Sequence, residues 1–159
     1  MLVQLEIVAR TINRGSVFPP TSMMTSHVLM SVTSTVHGHF PDPPKSWVLS
    51  VMLVGDRAIH RINREFLGHD YPTDVIAFPL GDASAPGDVE GEIYVSGDHA
   101  VREAKGRPHP WRVELALYLV HGTLHLCGHD DHAAKARARM LRREQVVLRR
   151  LGYAVRDRR

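Results

Sequence analysis

The chain has 159 residues, of which 43% are hydrophobic and 23% charged, and its formal net charge is +3. This composition is that of an ordinary soluble globular protein and excludes a low-complexity chain. One cysteine, Cys127, excludes an intrachain disulfide and favours a reducing compartment. Because no signal peptide is recognisable and no apolar run approaches membrane-spanning length, we expect a cytoplasmic protein without membrane contact.

We expect a single domain over residues 1–159, since a chain of this length can bury roughly 70% of its unfolded surface. Apolar runs and alternation predict four strands, at residues 2–8, 47–54, 75–78 and 92–95. Apolar spacing of three and four predicts five helices, at residues 22–36, 56–66, from about 98, 111–127 and 133–151. Asp56 is the expected N-cap of the second helix, and residues 81–91 are expected to form a loop.

These elements predict an α+β fold, because they neither alternate strictly nor segregate along the chain. We expect a small mixed sheet of about four strands packed with four to five helices. The helix at residues 111–127 is apolar on nearly every side up to Val120, which is typical of a central buried helix. Two histidines near its end would be costly to bury unless both were satisfied.

Those histidines, His121 and His125, are four residues apart and therefore lie on one face of the helix. Gly128 follows three residues later, where it can end the helix and let the chain reverse. A third ligand can then return from Asp131 or His132. Two imidazole nitrogens and one more protein ligand suit zinc and leave a fourth position for water, as in catalytic sites. The spacing therefore predicts a metal site on the buried helix and the following turn.

The spacing also matches the extended zinc-peptidase pattern, in which Asp131 would fall on the third ligand. Those peptidases carry a glutamate directly after the first histidine, and it serves as their general base. This chain has Gly122 at that position. Without the carboxylate, a peptidase mechanism lacks the group that removes a proton from the zinc-bound water. A peptidase is therefore disfavoured.

The third ligand has two candidates, Asp131 and His132. Asp131 keeps the ten-residue spacing from the first histidine, whereas His132 offers the commoner zinc ligand type. We favour Asp131, because zinc bonds of about 2.0–2.2 Å tolerate little error in position. Asp130 is expected to accept a hydrogen bond from a ligand ring, and Cys127 is expected to face the core.

Four blocks of sequence resemble the YbeY-type rRNA maturation factors, which are zinc-dependent endoribonucleases. The first is His-Gly-Thr-Leu-His-Leu-Cys-Gly, at residues 121–128. The second is Thr-Asp-Val-Ile-Ala-Phe-Pro, at residues 73–79, which is similar to the family's Thr-Asp-Val-Leu-Ser-Phe-Pro. Weaker matches are Ile62-Asn63 with Phe66, and Gly91-Glu92-Ile93; Glu114 also falls where the family often has glutamate. The resemblance covers roughly residues 46–132.

This resemblance implies a single-strand-specific endoribonuclease that acts in 16S rRNA 3′-end maturation and in ribosome quality control. It implies one Zn²⁺ per chain, and its ligands map onto His121, His125 and Asp131. Partners would be single-stranded RNA, 16S rRNA and the ribosome or its small subunit. The alternatives are a non-catalytic, metal-containing ribosome-assembly factor and a zinc hydrolase that acts on another substrate.

Two positions depart from the family pattern. Most members have histidine at the position of Asp131, and many have arginine at the position of Leu67, where it is suited to contact phosphate. Other cations could take over that contact. Candidates on the same helix as Leu67 are Arg57, Arg61 and Arg64; residues 135–159 contribute ten further Lys or Arg side chains against two acids. No catalytic side chain beyond the metal ligands is predicted.

Overall fold

The computed structural model describes residues 4–12, 31–32, 35–36, 46–81 and 88–153. Its strands are β1 (Gln4–Ile12), β2 (Ser46–Val54), β3 (Val75–Pro79) and β4 (Asp88–Ser96). Its helices are α1 (Asp56–Leu67), α2 (Gly97–Ala104), α3 (Trp111–Leu126) and α4 (Ala134–Arg150). Residues 31–32 and 35–36 are also helical, as predicted; the rest of the predicted helix at residues 22–36 lies outside the described residues.

The four strands form one mixed sheet in the order β1-β2-β4-β3. Strands β1, β2 and β4 are parallel, and β3 pairs antiparallel with β4. The predicted α+β class with a small mixed sheet is therefore confirmed. Strand β2 lies between β1 and β4, which explains its continuous apolar sequence.

Strand β4 begins four residues earlier than the sequence predicted. Its first half, Asp-Val-Glu-Gly, has the composition of a loop, and residues 81–91 were expected to form one. In the structure this segment pairs in parallel with β2, from Ser46↔Asp88 to Leu49↔Gly91. The ladder satisfies the backbone groups whatever the side chains are, so pairing prevails over the weak local preference.

Successive residues of a strand point to opposite faces of the sheet. Each face is covered by a different helix. The buried residues of α3 pack against one face, where the partly buried Val75 and Ala77 of β3 contact the same core. Helix α1 packs against the other face, where Ile59 joins Ile76 and the partly buried Phe78. Helices α1 and α3 therefore lie on opposite sides of the sheet.

Helix α1 begins differently from the prediction. Gly55 is its N-cap, and Asp56 is its first helical residue. The Asp56 backbone N–H donates to the Asp98 carboxylate at 3.0 Å, so the capping oxygen comes from α2. The Asp56 carboxylate instead accepts from Ser96 Oγ at 2.9 Å and from Arg102 at 2.6 Å. These bonds join the N-termini of α1 and α2 at the carboxyl ends of β2 and β4.

Among the helices in the described part of the chain, none combines the length and the apolar character that crossing a membrane would require.

Candidate metal centre

Helix α3 is buried on every side ahead of its histidines, as the sequence predicted. Every residue from 113 to 120 is buried, and so are the three residues between His121 and His125. The two histidine side chains retain 20% and 31% of their exposure. They therefore lie where a core helix reaches the surface.

Gly122 marks the point of closest approach between α3 and the sheet. A Cβ atom built on it would lie 3.0 Å from Val75 Cγ2 and 3.3 Å from Ile93 Cγ2. Both neighbours are β-branched and have little rotamer freedom to move aside. The position where zinc peptidases carry their glutamate therefore faces the sheet and has no room for that side chain.

The chain reverses at Gly128, which has a φ of +81°. The His129 N–H donates to the Leu124 carbonyl at 3.0 Å, and the Gly128 N–H donates to the His125 carbonyl at 2.9 Å. This pair of bonds is the Schellman arrangement, in which glycine supplies the left-handed residue. The predicted helix end is thus found, and the turn sends residues 129–131 back along the histidine face.

The structure brings His121, His125 and Asp131 together. Their ligand atoms all lie within 4.8 Å of one another. The two Nε2 atoms are 3.0 Å apart, and the Asp131 carboxylate oxygens lie 3.7 Å from His121 Nε2 and 3.8 Å from His125 Nε2. Two ligands of one tetrahedral zinc lie about 3.3 Å apart, since zinc–nitrogen bonds are about 2.0–2.1 Å. The observed separations bracket that value.

Both imidazole rings are held through their other nitrogen. His121 Nδ1 lies 2.6 Å from Glu144 Oε1, and His125 Nδ1 lies 2.9 Å from the His129 carbonyl oxygen. A carbonyl oxygen can only accept, so the His125 proton is on Nδ1. The two bonds orient both rings with Nε2 toward Asp131.

This arrangement leaves two acceptor atoms facing each other. When His121 and His125 are neutral and donate through Nδ1, both Nε2 atoms carry lone pairs and no hydrogen lies between them. Two lone pairs 3.0 Å apart beside a carboxylate favour a cation at their common point. Two nitrogens and one oxygen are a donor set that zinc accepts. The residues present therefore fit the metal that the sequence predicted.

Burial lowers the pKa of His125, and the neighbouring His121 lowers it further; Asp131 opposes both effects. A lowered pKa keeps the ring neutral near pH 7, which is the form that binds a metal. The pKa of His129 is also lowered, by burial first and then by Arg143 and Arg139 of α4.

His132, the alternative third ligand, lies apart from the histidine pair. Its side chain is 93% exposed, and its Nε2 lies 3.6 Å from Asp130 Oδ1. It belongs to a second group of metal-capable side chains, together with Asp130 and Asp131. Of the two candidates, Asp131 is thus the one that faces both Nε2 atoms. Ligation itself stays a prediction.

Asp130 does not accept from either ligand ring. Its Oδ1 accepts from the His132 backbone N–H at 3.0 Å, and this bond holds the pKa of Asp130 below its usual value. Glu144 accepts from His121 instead, and the His129 backbone carbonyl accepts from His125. Sequence reasoning missed Glu144, which is 23 residues from His121 along the chain.

Glu114 of α3 and Cys127, the residue that follows α3, lie outside the cluster. Glu114 is fully buried and contacts His109 Nε2 at 2.6 Å and Arg107 Nε at 3.1 Å, so its described partners come from the α2–α3 connection. Cys127 packs against the main core, as predicted. Burial raises the pKa of the Cys127 thiol to about 12, so it stays protonated near neutral pH.

The arginines that the sequence offered for phosphate contact on α1 are Arg57, Arg61 and Arg64. They are exposed on the helix that covers the opposite face of the sheet, where Leu67 is 47% exposed. The arginines of α4 are better placed, because Arg139 and Arg143 are close enough to lower the pKa of His129. Phosphate contacts at the candidate site are therefore expected from α4.

Fold and site together define the class of protein: a small α+β domain whose buried central helix ends at a cluster of metal-capable side chains. A sequence model of the family described as Endoribonuclease YbeY matches residues 21–152. The chain belongs to this family. The predicted family is confirmed.

Individual relatives agree with the family match. An Endoribonuclease YbeY from Rhodopirellula baltica is 47% identical over 106 residues, which are 65% of this chain and 54% of the relative. One from Chlorobium phaeovibrioides is 41% identical over 111 residues, which are 70% of this chain and 73% of the relative. The chain thus spans about half of the first relative and about three quarters of the second.

A solved structure supports the fold. The solution structure of TM1509 from Thermotoga maritima matches with a TM-score of 0.58 at 24% identity and covers 96% of this chain and 99% of its own. At this identity the likeness concerns the fold alone.

Proposed function

We propose that this protein is a zinc-dependent endoribonuclease that cleaves single-stranded RNA and acts in 16S rRNA 3′-end maturation and ribosome quality control. One observation carries the proposal: two imidazole nitrogens and a carboxylate converge, with both Nδ1 atoms already engaged. The family to which the chain belongs supplies the reaction class.

His121, His125 and Asp131 would hold one zinc ion. When bound with an open position, zinc polarises a phosphoryl oxygen and lowers the pKa of a bound water toward 7. The chain's own contribution is orientation, because Glu144 and the His129 carbonyl fix the two rings. Asp131 is partly exposed, so substrate can approach from the solvent side.

Substrate binding is assigned to the arginines of α4. Lys135, Arg139 and Arg142 are exposed at spacings of four and three, so they form one basic stripe along the helix. Arg143 lies beside His129 at the rim of the site. Cations along a groove follow a nucleic acid backbone without reading its sequence. Selection of the cleavage site would then come from the ribosome or its small subunit, which implies a cytoplasmic location.

The test is cleavage of a labelled single-stranded RNA by the wild-type protein, by His125→Ala and by a chelator-stripped sample. We expect cleavage by the wild type, loss in His125→Ala and in the stripped sample, and recovery of the stripped sample on addition of Zn²⁺. A duplex RNA of the same sequence should be cut far more slowly.

His132→Ala is the matched control, because it removes a histidine from the same turn without changing the cluster. It should cleave as the wild type does. Equal cleavage by all samples would point to a contaminating nuclease and would contradict the proposal. Binding of RNA and zinc without any cleavage would favour the non-catalytic assembly factor instead.

A further inference from the structure

We infer that Glu144 is a positioning residue of the metal site, where it holds the His121 ring in the orientation and protonation that ligation requires. This inference rests on the proposed metal centre. It adds a residue from the last helix to a site otherwise built from α3 and its following turn.

Glu144 occupies a core position of α4. The buried residues of this helix recur at helical spacing. Glu144 is the polar one among them, and the others are Ala136, Met140, Val147 and Leu148. A carboxylate that is 3% exposed in an apolar stripe is costly unless a partner compensates it. An apolar side chain would serve packing better at this point. The glutamate is therefore explained by what it binds.

In the described part of the chain, the side-chain partner of Glu144 is His121, with Oε1 2.6 Å from Nδ1. Hydrogen bonds to a charged acceptor are shorter than those between neutral groups, and this contact is a short one. A proton on Nδ1 leaves Nε2 as the lone-pair atom, and Nε2 is the nitrogen that faces His125 and Asp131. The carboxylate thus sets the tautomer and the rotation of the ring.

The two histidines are supported unequally. His125 donates to a neutral backbone carbonyl, which no side-chain substitution can remove. His121 depends on the Glu144 side chain and on the docking of α4 against α3. A charged acceptor also makes the ring a more basic ligand than a neutral one does. Changing Glu144 should therefore weaken the metal site through His121 alone.

The experiment measures the Zn²⁺ dissociation constant by competition with a chromogenic chelator at fixed pH and ionic strength. It compares the wild type, Glu144→Leu and Glu144→Gln. Loss of such an acceptor weakens metal binding by about 10- to 100-fold, and we expect that range for Glu144→Leu. Glu144→Gln should lose less, because its amide oxygen can still accept from Nδ1.

The unfolding temperature of the metal-free proteins distinguishes a positioning role of Glu144 from a merely structural one. Replacing a buried charge by an apolar side chain of similar size is often neutral or stabilising. We therefore expect metal-free Glu144→Leu to unfold at the wild-type temperature or above it, while its gain in unfolding temperature on adding Zn²⁺ shrinks.

Glu114→Gln is the matched control. Glu114 is also a buried glutamate bonded to a histidine, but its partners are His109 and Arg107. Its zinc affinity should stay within about twofold of the wild type, a spread smaller than the expected effect.

Wild-type zinc affinity in both Glu144 variants would overturn the inference and leave the proposed metal centre intact. Equal weakening in Glu114→Gln would also overturn it, because the effect would then be general. Failure of the wild-type protein to bind Zn²⁺ would instead refute the proposed function on which the inference rests.

Discussion

At the scale of single residues, Asp131 distinguishes this chain from the histidine pattern it resembles. Its carboxylate faces both Nε2 atoms, whereas the neighbouring His132 points into solvent. We expect Asp131→Ala to lose bound zinc and His132→Ala to keep it, as measured by metal content after gel filtration. Asp131→His should also retain zinc, because an imidazole can reach the same point.

The His132 variant provides the contrary outcome. If His132→Ala loses zinc while Asp131→Ala keeps it, then the turn rearranges on binding and His132 is the third ligand. The preference for the ten-residue spacing would then be wrong. The metal content of the double variant His121→Ala/His125→Ala sets the background for adventitious binding.

The convergence of the three predicted ligands could be read from spacing, because helix periodicity and a glycine turn determine their direction. The partners of those ligands could not. Glu144 comes from another helix, so its placement depends on tertiary packing. The acceptor for His125 is a backbone carbonyl, which any residue at position 129 would supply. Asp130 was expected to accept the hydrogen bond from a ligand ring because a carboxylate side chain is visible in the sequence. A backbone carbonyl is present at every residue, so the sequence does not indicate which one will accept.

At the scale of elements, the basic stripe of α4 should govern RNA affinity. We expect Arg139→Gln/Arg142→Gln to weaken binding of single-stranded RNA and to reduce its dependence on salt. Each phosphate neutralised contributes about 0.7 to the slope of log K against log salt, so the double substitution should lower that slope by about 1.4. Fluorescence anisotropy across a salt series measures both quantities.

The α1 arginines allow a control with the same change in net charge. Arg57→Gln/Arg61→Gln removes two exposed cations from the helix on the opposite face of the sheet. Its affinity and salt slope should stay close to the wild-type values. An equal loss in both double variants would mean that RNA responds to net charge rather than to α4.

In the part of the chain that the structure describes, the predicted strands and helices are found with the predicted type, and the errors lie at their ends. Apolar periodicity found α3 and α4 to within one residue at each end, because both bury wide faces. It missed the first half of β4, which pairs with β2 through the backbone and carries one apolar side chain, Val89. The N-terminus of α1 was assigned a local cap, whereas Asp98 supplies the oxygen from 42 residues away.

At the scale of the whole molecule, strand order lay beyond sequence reasoning. The sheet joins β2 to β4 rather than to the intervening β3. Helices α1 and α3 lie on opposite faces of this sheet, so the exposed arginines of α1 belong to a different face from the histidine helix. The hypothesis that these arginines bind phosphate in place of the arginine that many family members carry at the position of Leu67 stays a prediction.

The stability of the metal-free protein should fall in acid, because His125 and His129 both have lowered pKa values. The folded state binds their protons less readily than the unfolded chain, whose histidines titrate near 6.5. Their contribution is therefore complete above pH 6.5 and is lost as pH falls through that value toward the folded pKa. We expect the unfolding temperature in chelator to drop between pH 7.5 and pH 5.5.

Substitution identifies the groups responsible for this fall. His129→Gln removes one of the two rings with a lowered pKa and leaves the proposed ligands in place, so its fall in unfolding temperature should be smaller. His132→Gln should fall as the wild type does, since that side chain is surrounded by water in the folded protein. Parallel curves for the wild type and His129→Gln would refute this assignment. With Zn²⁺ present, the unfolding temperature should fall more steeply as the pH is lowered. Protons must then also displace the metal from His121 and His125.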